Sequence, residues 1–411
     1  VKIFHLADLH IRDHDIDQCW RCLHAVTEKA QVERPDLVVV AGDIFDNQAV
    51  KLGSDSARLA VGWFSQIAAI APVICVTGTP SHDGKAPEIL AHINNPGIWV
   101  SAVPEQIVVA KGEIWTMQDF WDTASPDISD CDLIVSLVPA PTKQFWDSRG
   151  GILETDQEIS QTMSGIFAGF GDIASQFSCP HILVGHFSVR GAEISESQVM
   201  VGREIEIGKD QLSLANAHLV LLGHIHKRQS IEPNIFYSGS LYPLNYGEKE
   251  DKGYYIQTID GTATLSQFIK TPHRKLTRLI YDFTRHEEDT LHDLDIVLYS
   301  LAPEEVQGAA LRVELRVWQD EAEQLDPEGI KKFYLDGDFS VYRASSVEVR
   351  IVRVPRENVR CETILKAQKL REKILERARV SGENGVPESI LEKADSLEAL
   401  PAQELVERVS R

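Results

Sequence analysis

The stretch Leu221-Leu222-Gly223-His224-Ile225-His226 ends an apolar run on a glycine and two histidines one residue apart. If the chain stays extended past the glycine, both imidazoles emerge at the end of a buried strand. That arrangement suits two histidines that each bind a different ion of a close metal pair. A His-x-His alone is weak evidence, but the same kind of ending recurs along the chain. Val1–Ala7 runs into Asp8-Leu9-His10, and Leu37–Ala41 into Gly42-Asp43-Ile44-Phe45-Asp46. Val73–Val76 leads to Gly78-Thr79-Pro80-Ser81-His82-Asp83, and His181–Val184 to Gly185-His186. A single histidine is more often a satisfied core or surface group, and His5, His14, His24, His92 and His218 read that way. Five Asp/His clusters, each closing an apolar run, are hard to obtain by chance.

The elements between the clusters explain how they could meet. Helices over Asp15–Glu33 and about 54–70 alternate with the first three runs, which implies βαβ units and a parallel sheet. Ligands of such sheets gather outside the carboxyl ends of the strands. Beyond Val103 the pattern changes to short strands, Ile107–Ala110 and Glu113–Met117, joined by a Lys111-Gly112 turn. A helix over 156–177 leads to a fourth strand at 181–184, the run at 219–222 follows, and 236–240 and 253–259 read as further strands of a second sheet. The fold class expected is α/β, with residues 1–270 forming a four-layer α/β/β/α sandwich. Amphipathic strands at 276–283, 311–318 and 347–354, with helices near 287–300 and 327–336, describe a small α+β domain over 271–357. Residues 358–411 read as a helical tail. Ile364, Leu365, Ala367, Leu370, Ile374 and Leu375 make an apolar stripe between basic residues, and a second amphipathic segment covers 388–409. These helices either dock on a partner or pack on their own domain.

The chain has 411 residues, too many for one core, and a formal net charge of −21. That charge argues against non-specific nucleic-acid binding, which relies on Lys and Arg. Bound divalent ions would offset part of it, and a partner subunit could supply basic surface. No apolar run approaches the roughly 18 residues of a membrane span. Cys19-Trp-Arg-Cys22 has metal-knuckle spacing without a second pair to answer it, so two reduced helical cysteines are expected, in a cytoplasmic protein.

Oxygen and imidazole donors without cysteine favour Mn²⁺, Fe²⁺ or Zn²⁺ over a structural zinc. A carboxylate such as Asp43 can bridge two ions, the geometry used in phosphoester hydrolysis, while a histidine that binds no ion protonates the leaving alkoxide.

As a set, Asp8-x-His10, Gly42-Asp43-x-x-Asp46, His82-Asp83, Gly185-His186 and Gly223-His224-x-His226 resemble the calcineurin-like metallophosphoesterase superfamily. The opening Phe4-His5-Leu6-Ala7-Asp8-Leu9-His10, the 271–357 domain and the tail narrow the resemblance to nuclease subunits of the SbcC–SbcD type. The resemblance implies a DNA nuclease with two divalent ions, Mn²⁺ being the first choice. Asp8, His10, Asp43 and His226 would hold one ion and Asp43, His186 and His224 the other. His82-Asp83 would supply the catalytic groups, His82 as proton donor. It further implies a DNA-holding cap, a tail for an SbcC-type coiled-coil ATPase, action on double-stranded ends and single-stranded DNA, and a homodimer through about 54–70 and 86–94. One departure stands out: the family has Gly-Asn-His-Asp where this chain carries two extra residues, with Ser81 at the asparagine position. Ser81 ligates directly, a water fills the gap, or the second metal site is weakened. The competing functions are a phosphatase or cyclic-nucleotide phosphodiesterase with the same core, and a catalytically degenerate DNA-end scaffold.

Overall fold

The computed structural model describes residues 1–93, 95–122, 131–141, 156–195, 198, 205–248, 250–285, 291–336, 343–355, 369–380 and 386–399. Within it the chain divides into two compact units. One comprises Val1–Tyr281, His292–Glu314 and Asp326–Arg350; the other comprises Asp282–Leu291, Leu315–Leu325 and Ile351–Arg411.

Two sheets build the site-bearing part of the first unit. In the first, Lys2–Leu6, Leu37–Ala41, Val73–Val76 and Ile98–Ser101 run parallel in that order. Gly253–Asp260, expected from the sequence in the second sheet, instead pairs antiparallel to the free side of Lys2–Leu6, and Ala263–Lys270 forms the edge beyond it. In the second sheet, Ile235–Tyr237, Leu219–Gly223, His181–His186 and Leu133–Val138 are parallel neighbours. Glu105–Ala110, Glu113–Thr116 and Gln229–Glu232 complete it as antiparallel additions. The parallel strands read as unbroken Val/Ile/Leu runs because both of their faces are covered.

One face of each sheet meets the other sheet: Ile3, Val39 and Ile74 share a buried cluster with Val135, Ile182 and Leu221. The opposite faces carry helices. Ile16–Glu33 and Asp55–Ala68 cover the first sheet with Val26, Ala30, Phe64 and Ile67. Asp156–Ala174 covers the second with Ile159, Met163 and Phe167. Local signals fix the helix ends. Ser54 Oγ caps the second helix by accepting from the Ala57 N–H at 3.2 Å. Arg34, left-handed at φ 47°, closes the first by donating its N–H to the Ala30 carbonyl. The layering is the α/β/β/α order expected from the sequence.

Some elements differ from expectation. Ala263–Lys270 has no counterpart among the expected strands, because as an edge strand it is mostly exposed and carries no apolar run. Cys131 and Cys179, given no role in the sequence, are joined as a disulfide, while Cys19, Cys22 and Cys75 are free and buried. Leu276–Asp282, Ala310–Trp318 and Ser346–Val354 form a three-stranded sheet in that order. The tail helices are Leu370–Val380 and Glu388–Glu398, tied by Arg371 to Asp395 at 2.6 Å and to Glu388 at 2.8 Å. Ile364, Leu365 and Ala367 of the stripe, and the segment beyond 399, lie outside the described residues.

His181, at the start of its strand, is buried against Ser136, with Nε2 2.7 Å from Oγ. Burial pushes its imidazole down to about 4 from 6.5. The unfolded chain therefore takes up this proton first as pH falls, and the folded state loses stability between about pH 6.5 and 4. The loss is on the order of 3 kcal/mol. Thermal unfolding of chelator-treated protein across that range should show a shallower fall for His181→Gln than for the native chain; parallel curves would refute the assignment.

Candidate metal centre

The carboxyl ends of the two sheets converge on one group of side chains. Asp8 and His10 follow the Lys2–Leu6 strand, Asp43 follows Leu37–Ala41, His186 ends His181–His186, and His224 and His226 follow Leu219–Gly223. Each turns out of its strand abruptly. Asp8 (φ 50°), His10 (φ 41°), Asp43 (φ 49°) and His224 (φ 88°) are all left-handed without being glycine. Such residues cost about 1–3 kcal/mol each and persist only where their surroundings hold them. Here the Asp8 N–H donates to the Gly42 carbonyl and the His10 N–H to the Asp43 carbonyl, both at 3.0 Å. Across to the other sheet, the His224 N–H donates to the Asp8 carboxylate at 3.0 and 3.2 Å. His186 Nδ1 lies 2.7 Å from the Ala41 carbonyl.

The donors sort into groups. Asp8, His10 and His226 offer ligand atoms within 4.8 Å of one another, as do Asp43, His186 and His224. Asp43 Oδ2 lies 3.3 Å from His186 Nε2 and 3.8 Å from His10 Nε2, between the two sets. The residues fit a pair of divalent ions: buried His186 Nε2 makes no hydrogen bond, and the donor set is oxygen and imidazole. His10 Nε2 and His226 Nε2 approach to 3.2 Å.

Charges follow from burial. Burial raises Asp8, opposed by His186 and His226. Burial would raise Asp43 too, but His186 and its neighbours hold it far below the usual carboxylate range. Burial would lower His186, yet Asp43 and Asp8 outweigh it and bring it to about 9. His10 is driven well down by burial and by His226.

The third motif divides its labour. His82 is half-buried, edge-on to the His10 ring with centroids 4.6 Å apart, and its Nδ1 is 2.8 Å from the Asp46 carbonyl. His10, Asp46 and His82 form a third potential ligand group. Asp83 is fully buried and braces two loops, accepting from the Phe45 N–H at 2.9 Å and the Gly78 N–H at 2.8 Å. Ser81 is exposed, its hydroxyl 3.4 Å from Thr79 Oγ1. The residue of this loop that touches Asp43 is Thr79, through its N–H at 2.7 Å and its hydroxyl at 3.0 Å. Sequence reasoning does not single out Thr79, nor Gln198, Glu248 and Lys252, which contact the His224–His226 segment. Thr79 had a signal in the two-residue extension of its motif. The other three sit on segments without a motif.

A strand-end site of this kind, on two facing sheets flanked by helices, is that of a metallophosphoesterase. Residues 1–228 match the family model described as calcineurin-like phosphoesterase, and the chain belongs to that family. Members bind divalent metals. The chain is 27% identical over 324 residues to a protein of Staphylococcus saprophyticus subsp. saprophyticus named as the SbcD component of nuclease SbcCD, covering 71% of this chain and 77% of that one. Among solved structures it resembles GAP50, the anchor in the inner membrane complex of Plasmodium, at 12% identity and TM-score 0.43, covering 66% of this chain and 85% of that one. It also resembles a dimetal phosphatase from Danio rerio at 13% identity and TM-score 0.38, covering 65% and 98%.

Gly78 shows how tightly the centre is packed. A Cβ there would lie 2.1 Å from Asp43 Oδ1 and 2.2 Å from the Asp43 backbone nitrogen. Gly78→Ala should therefore displace Asp43, lower bound metal measured by elemental analysis, and destabilise the protein by about 2 kcal/mol or more. Unchanged metal content in the variant would contradict this account of the packing.

Proposed function

We propose that the chain is a Mn²⁺-dependent DNA nuclease that uses two ions and works with a coiled-coil ATPase subunit of the SbcC type. The observation that carries the reading is the pair of donor groups meeting at Asp43 with His82 beside them. Asp8, His10, Asp43 and His226 would hold one ion; Asp43, His186 and His224 would hold the other. Bound there, the ions would acidify a water and neutralise phosphate oxygens. The chain's own contribution is positional. The shared Asp43 fixes the spacing of the two sets, and burial keeps bulk water from screening them. His82, held at Nδ1 by the Asp46 carbonyl, presents its remaining ring nitrogen as the donor of a proton to the leaving 3′ or 5′ oxygen. Thr79 orients Asp43, and Ser81, at the position of the family's asparagine, or a water completes the second site.

DNA as substrate is supported by the likeness to the SbcD component of nuclease SbcCD, which at 324 aligned residues extends beyond the 228 residues matched by the family model. In this reading residues 271–357 cap the site and hold DNA ends or single strands, residues 358–411 bind the ATPase, and helices near 54–70 and 86–94 form a homodimer in the cytoplasm.

The deciding experiment compares plasmid and oligonucleotide DNA with a phosphopeptide and a cyclic nucleotide, in Mn²⁺ and in Mg²⁺. DNA cleavage that exceeds the other two supports the proposal; turnover confined to the phosphopeptide or cyclic nucleotide would replace it with a phosphatase or phosphodiesterase. A wild-type protein that binds fewer than two ions and cleaves nothing would point to a scaffold. In the active protein His82→Ala should retain both ions and DNA binding while cleavage falls about 10²–10⁴-fold. Loss of a metal equivalent would make His82 a ligand instead. Truncation after Pro355 should leave cleavage of simple substrates intact and abolish co-purification with the ATPase; a truncated chain that still captures the partner would disprove the tail's role.

A further inference from the structure

The backbone of the His-x-His segment is held by side chains that the two-ion reading does not use. Gln198 reaches it twice: its amide nitrogen donates to the His224 carbonyl at 2.6 Å, and its amide oxygen accepts from the His226 N–H at 3.1 Å. The next carbonyl, that of His226, accepts from Lys252 Nζ at 2.8 Å. Lys252 is 1% exposed, and its other two contacts are Glu248 Oε2 at 2.7 Å and Glu250 Oε1 at 2.9 Å. All three ammonium hydrogens are thereby engaged. Glu248 is itself buried, and its second oxygen, Oε1, stands 3.8 Å from His226 Nδ1, which has no hydrogen-bond partner. Glu250 accepts in turn from the Ser195 hydroxyl.

A buried ion pair is a costly way to fill space, since apolar side chains of the same volume often serve stability equally well. This one sits at the residue through which a strand end would deliver an imidazole to a metal. An imidazole that binds an ion through one nitrogen presents the other N–H to an acceptor, commonly a carboxylate, which fixes its ring and tautomer.

We propose that Lys252 and Glu248 are positioning residues for His226: Lys252 anchors its carbonyl and holds Glu248 in place, and Glu248 is the acceptor for its Nδ1–H when Nε2 carries a metal ion. Gln198 fixes the other side of the same segment. The inference rests on the two-ion reading of the site, and its test separates the two.

The probe is Mn²⁺ alone, titrated calorimetrically into the chelator-stripped 411-residue chain, alongside the thermal midpoint of the same ion-free protein. Lys252→Met by itself leaves a buried carboxylate unpaired and risks unfolding. The informative variant is therefore the double substitution Glu248→Leu with Lys252→Met, which removes both charges and the acceptor with little change in volume. It should retain the ion-free midpoint of the wild type and bind one of the two ions 10–100-fold more weakly. Wild-type Mn²⁺ affinity in a folded double variant would overturn the proposal. A midpoint that collapses in step with the affinity would overturn it too, and assign the pair a structural role. If the wild type itself binds no Mn²⁺, the metal reading falls and the positioning role with it. If the wild type binds two ions and the double variant matches it, only the positioning role falls.

Discussion

The centre depends on cross-links between two sheets that share no strand. The Asp8 carboxylate, rooted in the first sheet, receives the His224 N–H from the second, and His186 of the second contacts the Ala41 carbonyl of the first. Asp43 then lies within 3.3 Å of an imidazole from the opposite sheet. Because sheets pack about 10 Å apart on their apolar faces, polar groups from both can meet only where the strands end and the chain turns inward. The left-handed backbone at Asp8, His10, Asp43 and His224 is that turn.

The same requirement accounts for the glycines around the centre. Gly42, Gly78 and Gly223 stand where a Cβ would overlap His186, Asp43 and the Ala41 carbonyl respectively. Absence of a side chain at Gly42 and Gly223 lets the two sheets approach each other, and at Gly78 it lets the third strand end close on Asp43 within the first sheet. Asp83 and Thr79 complete the enclosure from the third strand end, one tying Phe45 to Gly78 and the other holding Asp43.

The sandwich, and the side chains that converge at its strand ends, are legible in the sequence because parallel strands buried on both faces leave uninterrupted apolar runs, and five of those runs end on Asp or His. Ala263–Lys270 leaves no such run, because an edge strand is half-solvated. The disulfide between Cys131 and Cys179 spans 48 residues, and cysteine spacing alone does not reveal connectivity. Counting back from His82-Asp83 aligns Ser81 with the asparagine of the motif, and the contacts of the residues before it are not legible in that alignment. The chain through Pro80 brings Thr79 to Asp43 and leaves Ser81 exposed. Lys252, Glu248 and Gln198 escape notice for a related reason: Gln198 binds backbone groups, and Lys252 pairs with Glu248 and Glu250 in its own loop, and neither leaves a motif of residue types.

The order of the donors along the chain has a consequence for biosynthesis. His186 meets Ala41 across 145 positions, and His10 meets His226 across 216. At typical ribosomal rates of about 5–20 residues per second, Asp8, His10 and Asp43 spend seconds to tens of seconds outside any closed coordination sphere. During that interval the nascent chain carries only the first sheet's share of the converging side chains. The full group of Asp8, His10, Asp43, His186, His224 and His226 exists only once the second sheet has been made and docked, so any ion that needs both sheets' donors would be acquired only by the folded protein.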